Sequence, residues 1–183
     1  HQVHLLQLSS RDLIGEKDMK PSGAIPQPHP VPPDWLRGLK TYLAVIAVAN
    51  LIWEILQLPL YTIWTTGTAR EIAFAVIHCT FGDALIALAA LIIALISAGT
   101  KGWPAERYNS VLALTLALGV AYTIFSEWLN IVVRASWAYS PLMPVVPVIG
   151  TGLSPLMQWI VIPAIALTGA RRAAIAASPH APR

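Results

Sequence analysis

TYLAVIAVANLIWEILQLPLYTIW, residues 41–64, runs for 24 residues with one charged side chain, Glu54. A helix needs roughly 20 consecutive apolar residues to cross the hydrocarbon core of a bilayer, so this run reads as a membrane span. Three further runs of the same character follow at about 71–98, 110–133 and 153–170, the last the shortest and flanked by proline. The whole chain is 56% hydrophobic and 11% charged, with a mean hydropathy of +0.61. Soluble domains carry about 25% charged residues. The expectation is an all-α, polytopic transmembrane four-helix bundle in a bacterial inner membrane.

The flanks of the spans differ in composition from the spans themselves. Residues 1–40 read as an extended or disordered tail, because PSGAIPQPHPVPPDW (21–35) is too rich in proline to pack. Residues 173–183 form a second tail, and Met19, the first methionine, is an expected alternative start. Arg37, Lys40, Lys101, Arg107, Arg171 and Arg172 lie at one set of span ends, against Arg70 and Arg134 at the other. The positive-inside rule then places both termini in the cytoplasm, with 65–70 and 134–152 facing out. Trp35, Trp64, Trp103 and Trp137 fall near the span ends, where an interfacial aromatic belt is expected.

The 134–152 connection is apolar, yet Pro141, Pro144 and Pro147 recur every three residues and preclude a regular helix. Irregular backbone at membrane depth must pack on protein or line a cavity. A hairpin or re-entrant cap over the outer end of the bundle, or an ordinary interfacial loop, both fit. Ala90, Ala94 and Ala98 in the second span, and Ala113, Ala117 and Ala121 in the third, form small-residue faces suited to close helix packing.

Glu54 is not alone in hydrocarbon. The first span carries Asn50, Glu54, Gln57 and Tyr61, and the third carries Thr123, Glu127, Asn130 and Arg134, both at spacings of four, three and four. On a regular helix each set forms one stripe. His78 and Asp83 in the second span are five residues apart, about 140° around an ideal helix, so they do not share the centre of one face. The fourth span adds Gln158. At about 1.5 Å per residue, all of these fall in the outer half of the membrane or near its midplane. They predict a polar cavity there, lined by Asn50, Glu54, Gln57, His78, Asp83, Glu127, Asn130 and Gln158, with Arg134 at its mouth.

An ionisable side chain in a span costs about 2.5–3.5 kcal/mol on insertion scales, so it is retained for function or neutralised in a hydrogen-bonded network. Glu54, His78, Asp83 and Glu127 are the candidate acid–base residues, and the same four are candidate ligands for a divalent metal. The Glu-x-x-His pattern of helical di-iron bundles is missing, and a bis-His haem is not expected because His78 is the one histidine in a span. Cys79 is the single cysteine, which excludes an intramolecular disulfide and a thiolate cluster. The net charge of +3 is small and sits at span ends, so nucleic acid is not an expected partner. No nucleophile elbow, P-loop, HExxH or dinucleotide fingerprint is present. Three readings stand: a protein that binds, transports or modifies a small or lipidic ligand, a membrane enzyme acting on a lipid-like substrate, or a structural subunit of a larger complex. Membrane lipid, a second copy of the chain and a partner membrane subunit are the expected partners.

Overall fold

A computed structural model of the chain describes residues 34–99 and 101–176. Most of the two tails, including the proline-rich 21–33 stretch, lies outside these residues. The elements are α1 (Trp35–Gln57), a 3-10 turn (Leu58–Leu60), α2 (Ile63–Thr66), α3 (Ala69–Ala98), α4 (Tyr108–Glu127), a π-helical turn (Trp128–Val133) and α5 (Leu153–Ala176). Four helices are long and apolar enough to cross a membrane: Trp35–Leu60, Ala69–Ala98, Tyr108–Val133 and Leu153–Ala176. The protein is a multi-pass, all-helical membrane protein.

Helix ends depart from the apolar runs for local reasons. α1 begins at Trp35, inside the expected tail, because the Asp34 side chain caps it by accepting from the Arg37 amide at 3.0 Å. It stops at Gln57, because Pro59 in the next turn has no N–H to continue the ladder. The carbonyls freed there are satisfied from the 134–152 loop, with Ser140 Oγ donating to the Pro59 carbonyl (2.8 Å) and the Ser140 amide to that of Leu60 (2.9 Å). α3 opens with a capping box between Thr68 and Glu71. α5 runs six residues past the expected end at 170, since ARRAAIA is made of strong helix formers.

The 134–152 loop is a hairpin. The Val146 amide donates to the Thr151 carbonyl at 2.9 Å and the Leu153 amide to that of Pro144 at 2.7 Å, with Val148 fully exposed at the tip. Its first half closes over the end of α1, where the Thr62 amide donates to the Ala138 carbonyl at 2.9 Å.

The helices form a ring in which α1 and α4 each pack on α3 and α5. The tight core lies towards the end where α1 starts and α5 finishes. Tyr42, Ile46, Ala87, Leu91, Ala94, Ala98, Trp103, Val111, Ala166, Leu167 and Ala170 are buried there together. Ala90, Ala94 and Ala98 form the packing face of α3 as expected. Ala113, Ala117 and Ala121 do not do so for α4: they are exposed, and α4 packs through Val111, Thr115, Gly119 and Thr123 instead. Gly119 is the reason, because a Cβ there would overlap the Trp159 ring of α5. The aromatic belt is also partial. Trp35 and Trp64 are exposed at helix ends, whereas Trp103 is buried in the core. The exterior carries the large apolar side chains (Leu56, Phe81, Ile96 and Val132 are exposed), as lipid-facing surface requires.

Candidate functional site

At the end opposite the tight core, the stripe on α1 meets α3 and α5 through one side chain. Gln158 of α5 is buried, and the two protons of its Nε2 are shared among Asn50 Oδ1 (2.8 Å), Asp83 Oδ2 (3.0 Å) and Glu54 Oε1 (3.1 Å). Gln57 completes the cluster: its Nε2 donates to Glu54 Oε1 (2.8 Å) and to Gln158 Oε1 (3.3 Å). A donor chain feeds it from outside, in which Trp53 Nε1 donates to Ser154 Oγ (3.2 Å) and Ser154 Oγ donates to Gln57 Oε1 (2.9 Å). Asn50 anchors the other end by donating to the Ile46 carbonyl at 2.8 Å. Glu54 and Asp83 therefore accept from the same nitrogen, which holds two carboxyl groups within two hydrogen-bond lengths of each other. In a low-dielectric interior, two negative charges that close oppose one another strongly.

Glu127 of α4 belongs to a second group. It is buried, and its Oε2 accepts from the hydroxyls of Tyr61, at 3.5 Å, and of Tyr139 in the hairpin. Tyr139 in turn accepts from the Gly152 amide at 2.7 Å, which links the far end of the loop to this carboxyl through the phenol. Burial first, and then the adjoining Glu127, push the Tyr139 phenol above its ordinary value.

The two groups line one cavity of about 860 Å3. Glu54, Gln57 and Gln158 contribute from one side, and Tyr61, Thr123, Ser126, Glu127 and Trp137 from the other. Such a volume falls in the range of roughly 300–1,000 Å3 typical of small-molecule sites. Its mouth is marked by lining residues that are themselves exposed. Thr66, Thr68 and Arg70 lie at the helix-end margin, and Phe74, His78 and Tyr122 continue down the flank between α3 and α4. The opening is lateral because α3 buries side chains against the bundle mainly in its far half, from Ala87 to Ala98.

Of the residues expected to line the cavity, Asn50 and Asp83 are bonded to Gln158 but lie outside the lining. His78 lines the mouth, exposed and stacked on Phe74 with ring centroids 5.4 Å apart, and bonds no carboxylate among the described residues. Asn130 donates back to Ser126 in its own helix at 2.9 Å and does not line the cavity. Arg134, expected at the mouth, is exposed and outside the lining, and the two tyrosines are what bond Glu127. The cause is the π-helical turn at Trp128–Val133. A wider turn advances less angle per residue than an α-helix, so positions after Glu127 rotate off the stripe that regular spacing implies. Tyr139, Ser154 and Trp137 were not signalled by the sequence. Ser154 lies one helical turn before Gln158, which is the only local hint, and Tyr139 reaches Glu127 across a loop.

Among the described residues, no three His, Cys, Asp or Glu side chains come together in a way that would hold a metal ion. The four candidate ligands are divided between the Gln158 cluster, the tyrosine pair and the mouth. No protein family, curated protein or solved structure matches this chain.

Proposed function

We propose that the protein binds an amphiphile in this cavity, with the polar head among Glu54, Gln57, Gln158 and Glu127 and the apolar chain leaving between α3 and α4. The observation that carries the reading is the combination of a polar floor with an opening through the apolar flank past Phe74, His78 and Tyr122. A water-soluble ligand has no use for a lateral opening flanked by lipid-facing side chains, whereas a single-chain lipid needs one. Transport or modification of the bound molecule is the natural extension, with Glu54 and Glu127 the groups placed to exchange protons with it.

The orientation proposed with it follows the basic residues. Arg37, Lys101, Arg107 and Arg171 all belong to the tightly packed end, where the Asp34 amide donates to the Ala174 carbonyl at 3.3 Å and Arg171 lies over the Tyr108 ring. With that end cytoplasmic in an inner membrane, the cavity faces the outer leaflet.

The test is photolabelling of the full-length protein in a non-ionic detergent with hexadecanol carrying a diazirine in its chain. Adducts on the cavity-facing residues from Phe74 to Cys79 and from Tyr122 to Ser126, suppressed by unlabelled hexadecanol, are the expected result. Unsaturable labelling spread over lipid-facing residues such as Leu56 and Ile96 would refute the reading.

A further inference from the structure

We infer that the cavity selects a head group that donates hydrogen bonds and carries no negative charge, a protonated amine above a hydroxyl and both above a phosphate. The inference rests on the amphiphile reading and names the chemistry of the ligand's polar end.

The amide and hydroxyl donors around the two inner glutamates of the lining fall on one oxygen of each, and Glu54 also pairs with Asp83. Glu54 accepts from Gln57 and Gln158 on Oε1, and Glu127 accepts from Tyr61 and Tyr139 on Oε2. The amide donors of Gln57 and Gln158 are spent on Asn50, Glu54, Asp83 and each other. Acceptor capacity on the remaining carboxyl oxygens is what these two glutamates offer a ligand; the Ser126 hydroxyl and the Trp137 indole N–H also belong to the lining. Asp83 adds a further carboxyl bonded to Gln158, and Glu71 stands in the lining beside Arg70.

Positive charge is scarce on the same surface. Among the described residues that line the cavity, Arg70 is the one arginine and there is no lysine. Arg70 is exposed at the helix-end margin, beside the Thr68–Glu71 cap and away from the Gln158 cluster. A phosphate drawn inward would meet carboxyl groups with no facing cation, and desolvation would add to the repulsion. An ammonium offers up to three donors to those oxygens, and a cation beside a carboxyl favours its ionised form.

Competition against the diazirine hexadecanol decides it, with hexadecylamine, hexadecanol and hexadecyl phosphate added at equal mole fraction in the same non-ionic detergent. The expected order is amine, then alcohol, then phosphate, with the amine at least tenfold more effective than the phosphate. Glu127→Gln, which keeps an acceptor for the tyrosines, should reduce the advantage of amine over alcohol at least threefold while hexadecanol still competes. Phosphate competing as well as the amine overturns the inference and leaves the amphiphile reading intact, Arg70 then setting the preference. An amine advantage unchanged in both Glu127→Gln and Glu54→Gln also overturns it. Absence of cavity labelling with every probe removes the amphiphile reading itself, and the inference with it.

Discussion

The two ends of the bundle use the same four helices and are filled in opposite ways. At the end where α1 starts, small residues bring the helices together: Ala94 and Ala170 are fully buried, and a Cβ added at Gly38 would lie 3.3 Å from the Ala170 carbonyl. At the other end, the spaces are occupied by Asn50, Gln57, Glu127 and Gln158, all buried, and the helices leave a cavity of about 860 Å3. Lipid gives helices no hydrophobic drive to associate, so close packing and interhelical hydrogen bonds must do it. The tight end uses the first and the open end uses the second. The difference shows how a small bundle keeps a hole in it: one end is closed by packing, and polar cross-links hold the other without filling it.

The largest effect is expected from cutting the cross-links. Gln158→Leu removes the donor that Asn50, Glu54 and Asp83 share, leaving Glu54 with Gln57 alone, and should cost about 3 kcal/mol, since buried polar groups that lose a partner forfeit their compensation. Thermal unfolding in detergent measures it. A variant as stable as the parent would show that the network does not hold the open end. Next comes Ala94→Leu, which overfills the packed end and should cost about 2 kcal/mol. If the ends are built independently, its remaining folded fraction keeps saturable cavity labelling.

Smaller effects separate the cavity wall from its surroundings. Asn130→Ala and Arg134→Ala should change stability by less than about 0.5–1 kcal/mol and leave hexadecanol labelling unchanged, because neither residue lines the cavity. Tyr139 supplies a pH test outside the spans. Its phenol is pushed upward by burial and by Glu127, so the folded state holds that proton more tightly than the unfolded state. The contribution is complete below the unfolded value near 10 and is lost as pH rises above it. Tyr139→Phe should therefore show a shallower loss of stability between pH 9 and 12 than the parent, read by the same unfolding assay.

Much of this comparison is readable in the residue order, and the parts that are not have identifiable causes. Apolar length alone locates four spans, because a bilayer imposes it. The meeting of Asn50, Glu54 and Gln57 with Asp83 and Gln158 is implied by regular α-helical spacing at matched depths, and those helices are regular where it matters. The stripe on α4 misleads because the six residues that follow the helix form a π turn, which 3.6-residue arithmetic does not anticipate. The alanine faces mislead on α4 for a related reason. Small residues occur on two of its faces, and Gly119 against Trp159 decides which turns inward. Tyr139 carries no local signal, since its place depends on where a proline-broken hairpin lands.

Cys79, the single cysteine, lies in the cavity lining and offers a direct probe of the central claim without any substitution. The rate at which a small organomercurial modifies it, in the full-length protein in non-ionic detergent, reads occupancy between α3 and α4. The account predicts that hexadecylamine slows the reaction saturably, by at least tenfold, while an equal mole fraction of hexadecyl phosphate slows it far less. Modification at the same rate whichever of the three amphiphiles is present would contradict it.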